Sequence, residues 1–219
     1  MTALGSVPAL IKKEFLLEWR QKYALGGIML YVFSTIFVVY LSFVEIGPRA
    51  WNALFWIIIL FASVNAITKS FIQENSTRQI YYYSLASPLA VIFSKIIYNQ
   101  FLLLILSGIA FAFFALVAGN PVKDTGLFLL TTFLGSTGFS ITFTFISAIA
   151  AKANNSATLM AIMSFPVIFP ILMTLIKLTA GSLFLIQDSE YWRDIVILLS
   201  IDIILITLVY LLFPYLWRD

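Results

Sequence analysis

The residues that usually carry enzyme chemistry are scarce in this chain. It contains no His and no Cys, so it lacks the commonest general base, the commonest metal ligand and any thiolate. No G-x-x-x-x-G-K-[ST] loop occurs, which excludes a P-loop nucleotide site within the chain. We therefore expect no catalytic residue, no metal site and no directly bound cofactor, and an enzyme function is disfavoured.

One ionisable residue lies deep inside an apolar run. Asp202 stands about eight residues into the last such run, where a charge costs roughly 2.5–3.5 kcal/mol on insertion scales. A residue of this kind usually has a partner, and Lys177 is the expected one. Asn65 is a further polar residue inside an apolar run. Two roles stay open for Asp202: a buried pair that fixes helix packing, or a part in gating or substrate passage.

A second group of residues with possible binding chemistry lies in residues 73–97, the only long polar stretch between two apolar runs. We call this stretch the coupling segment. Glu74 could accept a salt bridge from a basic partner, and Tyr81, Tyr82 and Leu85 could fill a cleft. Such aromatic residues are favoured in protein interfaces, although an aromatic belt at the membrane surface is the alternative interpretation. Tyr82 and Leu85 are three apart, on one side of a helix, and are the preferred anchors.

The local pattern of the coupling segment predicts a short helix, a break and a second helix. Pro88 directly follows Ser87, and proline suits the first turn of a helix because its missing N–H is not needed there. The second helix should then run at least to Lys95.

The rest of the chain consists of long apolar runs that must position these residues. Apolar residues make up 62% of the chain and charged ones 11%, whereas a soluble domain has about a quarter charged residues. The runs are long enough to cross a bilayer, and lipid cannot satisfy an open backbone, so they must be helices. The fold class predicted is therefore all-α integral membrane, as a single domain over 1–219 with spans near 25–45, 51–72, 98–118, 125–151, 157–178 and 194–216.

The cations are distributed unequally between the two sides that six spans create. Nine lie on the side of the termini and four on the other, so the termini and the coupling segment are predicted to be cytoplasmic. Residues 1–23 should form an amphipathic surface helix, with Phe15 and Trp19 on a broad apolar side. Glu14 interrupts this side. The helix could anchor the chain to the membrane surface or dock another subunit.

Two spans have compositions with structural consequences. The fourth is rich in small residues, which let helices approach closely in lipid. These residues could serve packing within the subunit, a subunit interface or a substrate-facing surface. They are Gly135, Ser136, Gly138, Ser140, Ser147, Ala148, Ala150 and Ala151. The fifth contains Pro166 and Pro170, each of which can kink a helix.

Taken together, these motifs resemble the CcmB family, the haem exporter protein B of cytochrome c maturation. The shared features are a surface helix with Lys-Glu-Phe and Trp-Arg, an acidic residue after span two, a Leu-x-Ser-Pro ending and a following Lys. Here these are Lys13-Glu14-Phe15, Trp19-Arg20, Glu74, Leu85-Ala86-Ser87-Pro88 and Lys95. Span five adds a double-proline motif, Phe165-Pro166-Val167-Ile168-Phe169-Pro170.

The resemblance implies an ABC-2-type permease that works as a homodimer in the bacterial inner membrane. It implies that a separate ATP-binding subunit grips the coupling segment, so that ATP acts through a partner. It further implies a haem-handling membrane protein and a periplasmic haem chaperone, with haem handled by the complex and ATP driving haem delivery or release of the loaded chaperone. An exporter permease for a lipid, drug or polysaccharide, and a membrane scaffold without transport, are the alternatives.

Overall fold

The computed structural model describes residues 7–20, 22–43, 45–68, 87–151, 156–184 and 191–218. Every element in these ranges is an α-helix. The helices are α1 (Val7–Arg20), α2 (Lys22–Ser42), α3 (Pro48–Ile67), α4 (Pro88–Ala118), α5 (Thr125–Ala150), α6 (Ser156–Ser182) and α7 (Tyr191–Arg218).

Five helices, α3 to α7, are long and apolar enough to cross a membrane, and α2 contributes a shorter apolar stretch, Gly26–Ser42. The prediction of an all-α integral membrane protein is thereby confirmed. The chain is a multi-pass membrane protein, because helices of this length and hydropathy bury their backbone groups internally and suit lipid as solvent.

Helix α4 is longer than the third span expected at 98–118. It starts at Pro88 and continues without interruption to Ala118. Ser87 caps it, since the Ala90 amide donates to Ser87 Oγ at 3.3 Å, and proline occupies its first turn as the sequence predicts. The last ten residues of the coupling segment are therefore the first turns of a membrane-crossing helix.

Helix α5 forms the centre of the bundle and packs against α3, α4, α6 and α7. Its small residues make these contacts possible. An added Cβ at Gly135 would lie 2.8 Å from Trp56 and Leu175, and Ser140 Oγ donates to Ile96 O at 2.7 Å. At these positions the small residues serve packing within one subunit, which is one of the roles expected for them.

The remaining interior is mainly apolar and aromatic, and some of its polar side chains are paired across helices. Trp51 of α3 stacks on Phe114 of α4, with ring centroids 5.0 Å apart. Asn52 Nδ2 donates to Ile176 O at 2.8 Å, and Trp56 Nε1 donates to Thr179 Oγ1 at 2.9 Å. These bonds fix the register of α3 against α6, because a buried donor without an acceptor costs free energy.

Candidate functional site

The chain is fixed by hydrogen bonds at Thr68, just before the coupling segment, and at Ser87, within it. Thr68, just after α3, accepts a hydrogen bond on its carbonyl oxygen from Ser147 Oγ of α5 at 3.2 Å. Ser87 caps α4 on the other side. The predicted partner-binding residues Glu74, Tyr81, Tyr82 and Leu85 lie outside the described residues, so their roles stay predictions. What the structure describes is the framework to which they are attached.

The N-terminal helix is joined to the start of α4 by a buried ion pair. Lys95 Nζ lies 3.2 Å from Glu14 Oε1, and the Lys95 side chain is only 1% exposed. Glu14 is also close to Lys13, at 3.0 Å. Glu14 therefore interrupts the apolar side of α1 because that side faces a buried cation of α4.

An aromatic contact continues the same junction along α4. The Phe15 ring meets Tyr98 edge-on at 5.1 Å and Phe101 at 5.4 Å. Part of the apolar side of α1 thus packs against another helix of its own chain. The sequence favoured either the membrane surface or another subunit as the contact of this helix, and neither alternative included this intramolecular packing.

Helix α4 is in turn bonded to the central helix by polar side chains. Asn99 Nδ2 donates to Thr144 Oγ1 at 2.8 Å, and the Ile96 carbonyl accepts from Ser140. Both groups are buried, so these bonds resist separation of the two helices. A continuous set of contacts therefore runs from α1 through the first turns of α4 into α5. We call it the α1–α4–α5 junction.

Asp202 occupies a second polar position, in the bundle interior. Its side chain is buried, and neither carboxyl oxygen has a hydrogen-bond partner among the described residues. Oδ1 would lie 2.9 Å from a Cβ added at Gly138. The carboxyl is thus seated directly against the α5 backbone, in space that only a glycine leaves open.

The expected pairing of Asp202 with Lys177 is wrong. Lys177 Nζ lies 3.0 Å from Asp194 Oδ2 and 3.1 Å from Asp194 Oδ1. Both residues are near the end of the bundle opposite α1, where the lysine stays half exposed and keeps much of its hydration. A lysine at this depth gains more from a carboxylate near the surface than from one in the interior.

This finding leads to a prediction for two double-mutant cycles. The Lys177→Met and Asp194→Asn substitutions should be coupled, by about 1 kcal/mol, because Lys177 is half exposed although Asp194 is buried. Lys177→Met and Asp202→Asn should be additive, because the two side chains do not interact. Thermal unfolding of the purified protein measures both cycles. Coupling between Lys177 and Asp202 that exceeds the coupling to Asp194 would contradict the observed pairing.

The other predicted membrane residues lie on the periphery of the chain. Asn65 of α3 has an exposed side chain, and so do Pro166 and Pro170 of α6. Both prolines lie inside a helix that continues through them, so neither ends it. No contact among the described residues joins Asn65 to Asp202, and the hinge role of the prolines stays a prediction.

Sequence reasoning missed Lys95 and Asp194 as partners in ion pairs. A signal for the first was present: an acidic residue on the apolar side of an amphipathic helix requires a cation opposite it. The signal for the second was the spacing of Asp194 from the start of α7, which places it at the same depth as Lys177.

The comparisons with known proteins identify the family of the chain. A search of curated proteins finds no match to the chain. The family model described as CcmB protein matches residues 6–215, nearly the whole length and including both the α1–α4–α5 junction and Asp202. The chain therefore belongs to the CcmB family, membrane permeases of the haem-exporter ABC system of cytochrome c maturation that are not themselves catalytic and work with an ATP-binding partner.

Proposed function

We propose that this permease couples ATP hydrolysis by a separate subunit to haem delivery, or to release of a haem-loaded periplasmic chaperone. The observation that carries the proposal is the Glu14–Lys95 pair at the start of α4. This pair lies where the coupling segment joins the helix bundle. A displacement of that segment would therefore be transmitted to the membrane helices.

The length of α4 supports a mechanical role. A helix of 31 residues is about 46 Å long at 1.5 Å per residue. The hydrocarbon core needs only about 20 residues, and the span predicted at 98–118 leaves roughly the first ten residues of the helix for the headgroup region. A rigid helix of this length moves as one body, so a push on its first turn would reach its far end near Gly119.

The α1–α4–α5 junction would transmit a displacement of α4 to the two helices packed against it. Helix α1 would move with α4 because of the Glu14–Lys95 ion pair, and α5 because of the hydrogen bond between Asn99 and Thr144. The buried Lys95 ammonium cannot leave its carboxylate without a large desolvation cost. The junction therefore favours joint movement of α1, α4 and α5 over sliding between them.

The orientation and the partners belong to the same proposal. Nine of thirteen cations lie on the side predicted for the termini, and this bias supports a cytoplasmic coupling segment and ATP-binding subunit and a periplasmic haem chaperone in a bacterium. A second copy of this chain and a haem-handling membrane protein complete the proposed complex.

The test replaces the two preferred anchors of the coupling segment. Tyr82→Ala with Leu85→Ala should weaken co-purification of the ATP-binding subunit by at least about tenfold, because a few buried anchors dominate most interfaces. Cytochrome maturation should fall accordingly, while membrane insertion is retained.

A matched control is available at the far end of the chain. Leu212 and Tyr215 of α7 have the same residue types and the same spacing, and both side chains are exposed. Leu212→Ala with Tyr215→Ala should leave the ATP-binding subunit attached. If the Tyr82/Leu85 variant keeps its ATPase and matures cytochromes at the normal rate, the coupling role of these residues is wrong.

A further inference from the structure

Asp202 has no group of opposite charge within reach among the described residues. Helices α4, α5 and α6 pack against α7. Helix α5 contains no ionisable side chain at all. Helix α6 contributes Lys177, which is paired with Asp194, and α4 contributes Lys95, which is paired with Glu14, and Tyr98, which contacts Phe15.

The ionisable residues of α7 itself lie too far along the helix. Arg193 precedes Asp202 by nine residues and Arg218 follows it by sixteen, which separates them by about 13 Å and 24 Å along the axis. The tyrosines of this helix, Tyr191, Tyr210 and Tyr215, are at least eight residues away. An ionised Asp202 would therefore be buried and would have no counter-charge among the described residues.

A cavity is lined by residues that stand one helical turn from Asp202 and Gly138 in the sequence. Its volume is about 140 Å³, and it lies between α5, α6 and α7. Thr142 and Leu205 belong to its lining. Thr142 follows Gly138 by one turn on the same face of α5, and Leu205 follows Asp202 by one turn on α7.

The cavity is apolar apart from one hydroxyl group. Thr142 is 2% exposed, and its Oγ1 has no hydrogen-bond partner among the described residues. Met163 and Val167, on either side of Pro166, form the wall contributed by α6. An apolar space of this kind admits small uncharged molecules but does not stabilise a bare charge.

We propose that Asp202 is a proton-binding site within the membrane: a neutral carboxylic acid that is seated against Gly138 and reached through the cavity beside Thr142. This site goes beyond the coupling role and does not depend on it. A neutral carboxyl gains a donor, so it can bond to a carbonyl oxygen of its own helix, as the Ser200 hydroxyl does with Val196 O at 2.7 Å.

The protonated form can be detected directly by infrared spectroscopy of the full-length protein in detergent. The carbonyl stretch of a protonated carboxyl is separate from that of a carboxylate and shifts in heavy water. We expect this band in the wild-type spectrum at neutral pH and its loss in Asp202→Asn. If the wild-type band is absent, or if it survives in Asp202→Asn, then Asp202 does not hold the proton and the proposal is wrong.

Chemical modification tests the route through the cavity. Diisopropylcarbodiimide is small, uncharged and apolar, and it reacts with protonated carboxyl groups. The Asp202 oxygen bonds to the central carbon of the reagent, and the acid proton moves to one of its nitrogens. Transfer of the acyl group to the other nitrogen then gives a stable N-acylurea that retains all atoms of both reactants.

Mass spectrometry of the peptide that contains Asp202 should show this adduct in the wild type. Asp194 of the same helix serves as the internal control, because its carboxyl group is paired with Lys177 of α6. Thr142→Leu or Leu205→Phe, which fill the cavity, should slow labelling several-fold while the infrared band remains. Failure to label Asp202, or equal labelling in the wild type and in both filled variants, would overturn the cavity as the route.

Discussion

Replacement of Glu14 by Gln should destabilise the protein by about 3 kcal/mol, because it removes a carboxylate that lies 3.2 Å from a buried ammonium. Lys95 is fully buried, whereas Glu14 is at the edge of the junction and keeps Lys13 within 3.0 Å. Lys95→Met alone should therefore cost less than Glu14→Gln. The measurement is thermal unfolding of the purified protein, followed for each variant by the rate of cytochrome maturation.

The double variant Glu14→Gln with Lys95→Met should recover most of the lost stability, since an apolar side chain of similar length can fill the space of the lysine. Asp194→Asn, which leaves the half-exposed Lys177 in contact with solvent, is the matched control and should cost less than about 1 kcal/mol. Equal costs for Glu14→Gln and Asp194→Asn would show that burial of the lysine does not strengthen the Glu14–Lys95 pair.

Replacement of Gly135 by Leu should cost several kcal/mol and prevent correct packing of α5. Even the Cβ of an alanine would lie 2.8 Å from Trp56 Cη2 and from both methyl groups of Leu175. Trp56 cannot withdraw, because its Nε1 is bonded to Thr179 and its side chain is fully buried. Gly135→Ala should cost about 1–3 kcal/mol, the usual range for overpacking.

Gly108 of α4 provides the matched control. A Cβ added there meets nothing within 4 Å, so Gly108→Leu should be neutral or slightly stabilising, since glycine is the weaker helix former. Thermal unfolding and the yield of inserted protein measure both substitutions. A Gly135→Leu variant as stable as Gly108→Leu would mean that α5 is not packed against α3 and α6 as described.

The α1–α4–α5 junction and Asp202 differ in how the protein stabilises a buried ionisable side chain. At the α1–α4–α5 junction, a lysine and a glutamate neutralise each other and neighbouring amides and hydroxyls are paired. In the interior of the bundle, Asp202 lies against a glycine, one helical turn from residues that line an apolar cavity, and its neutral form is the one that such surroundings favour. The first arrangement suits the transfer of force, and the second suits the binding of a proton.

Much of the architecture could be predicted from the sequence, since it depends on local composition. Twenty apolar residues in succession require a membrane helix whatever the rest of the chain does. The start of α4 was equally local, because Ser87 and Pro88 provide a cap and a first turn without help from distant residues. For the same reason the family resemblance, carried by short motifs, could be seen before the fold.

The partners of the charged residues could not be predicted in this way. Lys177 forms an ion pair with Asp194 rather than with Asp202, and Lys95 forms one with Glu14, which is more than eighty positions away in the chain. These choices depend on which helices are neighbours and how far each is shifted along its axis. The sequence by itself determined the spans and the presence of a costly buried carboxyl. Only the tertiary structure decided its neighbours, because helix packing in lipid is set by shape at residues such as Gly135 and Gly138 rather than by hydropathy.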